Sequence, residues 1–168
     1  MAKPKYDLEL FITDFKTVFQ ANLNAKIAEV NTEKNTETSE TNDNFSINTL
    51  RTKDWYMNQV PQVWNSNQFI VYGLMDLKTE QAQETSFKMT PTLFIEVIIP
   101  DQGEQLIESA IYKLLRYTRC LYEVANENYD EFRHYGKLKM DSLPPAMIEV
   151  DGKRLRTAGI AVTASWFI

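Results

Sequence analysis

From about Tyr6 to Val30 the apolar residues Leu8, Phe11, Phe15, Val18, Phe19, Leu23, Ile27 and Val30 recur at helical spacing. The pattern predicts one long amphipathic helix whose stripe is a core face, with an aromatic end that a neighbouring subunit could also use. The stripe then stops. Asn31 to Asn44, NTEKNTETSETNDN, holds no apolar side chain, so burial cannot offset the entropy of ordering it. Residues 31–44 are expected to form a flexible polar loop, either idle or ordered only against a partner. The aromatic-rich insertion 45–64 has no clean period around Pro61 and is expected to be irregular, with a short helical turn near Asp54 to Gln59. Trp55, Tyr56 and Trp64 either complete the core there or form an anchor that concentrates binding energy at an interface.

Strand patterns follow. Gln68 to Lys78 is expected to pair with Thr85 to Ile99 through the polar joining stretch TEQAQE as an antiparallel hairpin, with Pro91 marking a bulge or edge. Pro100 ends that strand, and Asp101 with Glu104 three residues on has the form of a capping box opening a second helix that runs to about Asn126. Leu106, Ile107, Ala110, Ile111, Leu114, Leu115, Thr118, Leu121 and Val124 are its expected buried face, and Lys113, Arg116 and Arg119 form a basic stripe on another. That stripe is solvated or paired on the plain reading, and on the alternative it serves a subunit interface. Glu127 to Ser142 is a polar surface connection. Ala146 to Val150, the turn dipeptide Asp151-Gly152 and Arg154 to Ile168 make a second hairpin, in whose return Ile160, Val162, Ala164, Trp166 and Ile168 share one face. The expected fold is a single α+β domain over residues 1–168: a four-stranded, mainly antiparallel sheet of two hairpins packed against an N-terminal and a central helix.

Composition fits a packed domain of 168 residues, being 43% hydrophobic and 12% aromatic. A net charge of -5 argues against general nucleic-acid affinity, which comes from neutralising phosphates with Lys and Arg. The single cysteine, Cys120, falls in a helical pattern and excludes an intramolecular disulfide and a cysteine-based zinc site. No signal peptide or membrane span is expected, because no apolar run reaches about 18 residues.

Motifs of catalysis are missing. The only imidazole, His134, stands in a polar stretch with no nucleophile motif around it, and no phosphate-cradling, zinc-protease or EF-hand pattern occurs. Among the carboxylates Asp76, Glu96, Glu104 and Glu108, none has a distinctive spacing. Neither an enzyme nor a cofactor or metal is expected.

The central helix LIESAIYKLLRYTRCLYEV followed by MIEVDGKRLRTAGIAVTASW resembles, in pattern, the helix and closing hairpin of the tail terminator (tail completion) proteins of long-tailed bacteriophages. The resemblance spans roughly Gln68 to Ile168, with Tyr6 to Val30 matching more loosely, and involves no diagnostic motif. It implies a virion protein, assembled in the host cytoplasm, that forms a hexameric ring on the tail tube beneath the head connector. Its implied partners are tail tube and head-tail connector proteins, with DNA passing through the lumen without specific binding and no membrane. The polar loop and the insertion 45–64 depart from a minimal terminator and leave open another head-tail connector ring protein, or a binding module using Trp55, Tyr56 and Trp64.

Overall fold

The computed structural model describes residues 8–37, 46–61, 67–101, 103 and 106–168. Helix α1 (Leu8–Glu37) carries the aromatic stripe, and Phe11, Phe15, Phe19, Leu23, Ile27 and Val30 are all buried, as their spacing requires. The helix runs seven residues into the polar stretch expected to be loop. Tertiary partners hold that extension: Asn31 exchanges two hydrogen bonds with the backbone of Ile47, and Glu33 accepts from Arg119 of the second helix at 2.6 Å. Positions 38–44 of the expected loop lie outside the described residues.

A 3-10 turn at Thr52–Asp54 leads into β1 (Trp55–Met57), where a helical turn had been expected. Long strands β2 (Phe69–Gln83) and β3 (Ser86–Pro100) follow, then α2 (Ile107–Glu127), the short α3 (Tyr129–Phe132) and a 3-10 turn at Arg133–Tyr135. Strands β4 (Lys139–Val150), β5 (Lys153–Thr163) and β6 (Trp166–Phe167) close the chain. The fold is α+β, but its sheet is mixed and six-stranded, in the order β1-β2-β3-β5-β4 with β6 beside β3. The expectation of four strands is corrected by β1, which lies parallel to β2, and by β6, which continues along β3 after β5 ends. Strands of three and two residues are too short to show alternation.

The turn between β4 and β5 is the expected Asp151-Gly152 pair, both in the left-handed region at φ 50° and 72°, as a two-residue hairpin turn requires. β4 begins at Lys139, well before the expected Ala146, because a register shift between Leu143 and Ala146 absorbs Pro144-Pro145. A Cβ at Gly73 in β2 would stand 1.7 Å from Oδ1 of Asn58, the atom that accepts from the Leu74 amide, so a side chain there would have to displace that contact.

One core lies between the helices and one sheet face, built from the α1 stripe, Ile70, Tyr72, Leu93, Ile95, Val97, Ile160, Val162 and Trp166, and Tyr117, Cys120, Leu121 and Val124 of α2. Phe132 and Tyr135 join it, so the stretch expected to be a surface connection supplies two of the largest buried rings. The Tyr135 hydroxyl donates to Asp14 at 2.6 Å, tying that turn to α1. A smaller cluster of Phe69, Val71, Ile98 and Leu155 lies on the opposite sheet face.

Charge clasps the two long helices together. Lys26, nearly buried, donates to Glu127 at 2.6 Å and Glu29 at 2.7 Å, and Arg119 pairs with Glu33 and Glu123. The hydrogen bonds it donates to Glu127 and Glu29 raise the pKa of Lys26 above the ordinary lysine range. Asp101 is not a helix cap: α2 begins at Ile107, and the Asp101 carboxylate takes a hydrogen bond from Arg156 instead, while Glu104 lies outside the described residues. Among the described residues no helix is long and apolar enough to cross a membrane.

Candidate functional site

β2 is buried from Phe69 to Gly73 and exposed from Met75 onward. Beyond Leu74 the outer half of β2 is exposed, whereas its partner strand stays attached to the domain: Pro91 is buried, Met89 packs against the main core and β6 pairs along the other side of β3. The hairpin, turned by Glu84 and Thr85, therefore forms an arm that is free along β2 only. The turn does without left-handed residues, and a register shift between Gln81 and Gln83 accompanies it. The joining stretch expected to be loop is thus the outer half of a strand. Along the exposed outer half of β2 no burial enforces the apolar alternation that would reveal it.

Register divides the arm into two unlike faces. Leu77 opposes Pro91, Thr79 opposes Met89 and Gln81 opposes Phe87; these share the side that, further down, faces the helices. Ile168 exchanges two backbone hydrogen bonds with Phe87 and so extends that face. None of these side chains is charged. Asp76, Lys78, Glu80 and Lys88 all point to the other side, where Lys78 lies 3.9 Å from Asp76 and Glu80 sits directly across from Lys88. Leu77, Phe87 and Ile168 are exposed by 40, 45 and 64%. These three thus leave apolar area open to water on a face without charged side chains, the kind of surface a partner can cover. The outer edge of β2 beyond β1, whose register ends at Tyr72, also carries no strand partner among the described residues.

The expected interface residues do not form one surface. Trp55 packs toward the helix-side core, its ring 6.3 Å from that of Tyr72, whereas Tyr56 turns to the other sheet face against Phe69. Trp64 lies outside the described residues. The basic stripe is likewise divided. Arg119 belongs to the α1–α2 clasp, Arg116 is half-buried with its pKa lowered by desolvation, and Lys113 lines a small polar cavity of about 100 Å³ with Asn48, Gln68 and Ser109.

The buried face expected for α2 was drawn too wide. Ala110, Leu114, Leu121 and Val124 are buried, and Tyr117, Cys120 and Ala125 complete the face, but Leu106 and Leu115 are exposed. The leftover positions Ile111, Leu115 and Thr118, joined by Tyr122, which was not expected on that face, follow helical spacing along the flank. An apolar arc too broad for one packing face was the available signal for them. For Leu77 and Phe87 the only signal was an apolar residue at each end of a polar stretch.

Among the described residues no group of three or more His, Cys, Asp or Glu side chains could hold a metal ion. His134 lies 3.7 Å from Asp14 beside the Tyr135 turn. Burial pushes the Cys120 thiol up to about 12, far from the thiolate that a nucleophile needs. Glu96 sits among apolar residues at the middle of the sheet's second face, opposite Val71 and Gly159, and desolvation raises its pKa. The nearby Thr157 hydroxyl draws it partly back without reaching hydrogen-bond geometry of its own. No family model matches the chain, and no curated protein matches it either.

Proposed function

We propose that this chain is a structural assembly subunit, and within that class a tail terminator: one copy of a hexameric ring that caps a phage tail tube, joins it to the head, and lets DNA pass through its lumen. The observation that carries the reading is the arm, whose helix-side face has no charged side chain and exposes Leu77, Phe87 and Ile168. A protein whose purpose is chemistry places its polar groups in a concave pocket; here the most conspicuous uncommitted feature is an apolar projection. The acidic balance of -5 suits a channel wall that does not hold DNA, and the order of helix, hairpin, helix and hairpin matches the resemblance in the second half of the chain. On this reading the protein is a virion component assembled in the host cytoplasm, acting with tail tube and head-tail connector proteins and without cofactor or catalytic residues.

Native mass spectrometry of the purified chain tests this. A defined ring-sized oligomer, six copies for a terminator, is the expected result. A strict monomer at concentrations of about 0.1 mM, where even weak specific contacts register, contradicts it.

A further inference from the structure

Between the segment 46–50 and the N-terminal half of α2 lies a cavity of about 100 Å³. The segment that forms one wall is held from several sides. Asn31 and Asn24 each exchange two hydrogen bonds with its backbone, at Ile47 and at Leu50. The Tyr117 hydroxyl donates to the Asn48 carbonyl at 2.7 Å, and Gln68 Nε2 donates to the Thr49 carbonyl at 3.1 Å. A wall latched in this way is already in place before anything binds, which spares a ligand the cost of ordering it. The facing wall is α2, where Ser109 and Lys113 stand one turn apart.

Lys113 sets the chemistry. It is half-buried, yet it makes no hydrogen bond or ion pair with any described residue. The other inward-lying cations of the helix pair behave differently, since Lys26 and Arg119 each hold two carboxylates. No Asp or Glu lines the cavity, in a chain that carries 23 of them. Of the described acids nearest along the chain, Asp101 is paired with Arg156 and Glu108 is exposed. The helix adds to the positive field: α2 starts at Ile107 behind Leu106, whose side chain supplies no cap, so its positive end falls at the Ser109 wall.

We propose that this cavity binds the carboxylate of a small organic acid, with Lys113 as counter-ion and Asn48, Gln68 and Ser109 as the polar groups around it. Charge selects the anion, because one ammonium matches one carboxylate, whereas a phosphate monoester brings about -1.5 to -2 at pH 7 and would stay partly uncompensated. Size selects the acid. Pockets for drug-sized ligands start at roughly 300 Å³, so this cavity has room for a body of a few carbons, over an apolar floor that includes Ile47 and Ile99. Bound there, the acid ties the segment 46–50 to α2. It is a structural brace, compatible with an assembly role and not dependent on it.

Two-dimensional NMR of the full chain, titrated with propionate, tests this. The side-chain amide signals of Asn48 and Gln68 should shift and saturate together, at one site per chain and a Kd of about 1 mM or tighter, and Tm should rise as mass action requires. Lys113→Gln should weaken binding at least about tenfold, the loss expected when a hydrogen bond to a charged group goes. Lys113→Arg should keep it, and Lys53→Gln, at an exposed lysine outside the cavity, should leave it unchanged. Asn48→Ala preserves the backbone contact with Tyr117 and should weaken binding as well, so a Lys113→Gln chain that fails to fold does not shelter the proposal. Neutral propionamide should not bind. Binding that survives Lys113→Gln, or no saturable shift at all, would mean a cavity that holds water only and overturns the proposal. Inorganic phosphate binding more tightly than propionate overturns the choice of a carboxylate, and binding of acetyl-glutamyl amide without propionate would give the cavity to an acidic protein side chain instead.

Discussion

Replacing Trp166 and, separately, Phe167 by alanine perturbs two aromatic residues that are adjacent in the chain and opposite in environment. Trp166 is 5% exposed, its ring 5.6 Å from Phe11 and 5.7 Å from Tyr135, whereas Phe167 is 66% exposed on the opposite face of the sheet beside Lys88. Truncating a buried large aromatic ring costs about 3–5 kcal/mol. Part of that is returned here, because Trp166 Nε1 is buried with no hydrogen-bond partner among the described residues, and removing such a donor recovers roughly 1–2 kcal/mol. Trp166→Ala should therefore destabilise by about 2–3 kcal/mol, or roughly 5–10 °C in Tm for a chain of this length. Phe167→Ala should stay within about 0.5 kcal/mol. Trp166→Phe, which keeps an aromatic ring and discards the unpartnered donor, should fall between them and near wild type. Urea and thermal melts on the three variants, followed by far-ultraviolet circular dichroism, give the comparison. Equal losses for Trp166→Ala and Phe167→Ala would refute the register of β6 and with it the face assignment of the arm.

Lys26→Met should cost about 1–2 kcal/mol in urea melts, the worth of hydrogen bonds from a charged donor whose carboxylate partners are exposed enough to rehydrate. Because hydrogen bonding raises the Lys26 pKa in the folded state, its contribution is fully present below about pH 10.4 and is lost only as pH rises through the higher folded value; a difference from wild type that fades between pH 6 and 9 would contradict the clasp. Glu96→Gln should raise Tm at pH 7, since a carboxyl whose folded pKa is raised by burial contributes its full stability below its unfolded value of about 4.3 and loses it as pH rises through the higher folded value. The gain should vanish in melts at pH near 4, and a lower Tm at pH 7 would show that the Glu96 charge is needed. Cys120 should resist thiol reagents at pH 8 in the native protein and react promptly in denaturant; fast native labelling would mean that the α1–α2 interface opens.

What could be seen in advance followed the strength of the burial signal. The α1 stripe and the alternation from Ile160 to Trp166 were legible because each residue at the right spacing enters the core. Asp151-Gly152 announced its turn because few residue pairs accept two left-handed positions in succession. The extension of α1 to Glu37 was not legible, since polar Asn31 and Glu33 are held by partners 16 and 86 residues away, which no local pattern records. The arm was hidden for the opposite reason: TEQAQE lies along the exposed outer half of β2, and solvated residues carry no period. The aromatic insertion misled through composition. Trp55 and Tyr56 look like a cluster in the chain, but neighbours on a strand face opposite ways.

The claim that this chain is an assembly subunit, carried by the arm's apolar face, is tested most directly by the mass of the assembly with and without that face. Native mass spectrometry on wild type and on Phe87→Glu, at matched concentration and with folding checked by circular dichroism, should give a ring-sized oligomer for the first and a folded monomer for the second. The same oligomer from both chains, or a monomer from wild type, would contradict it.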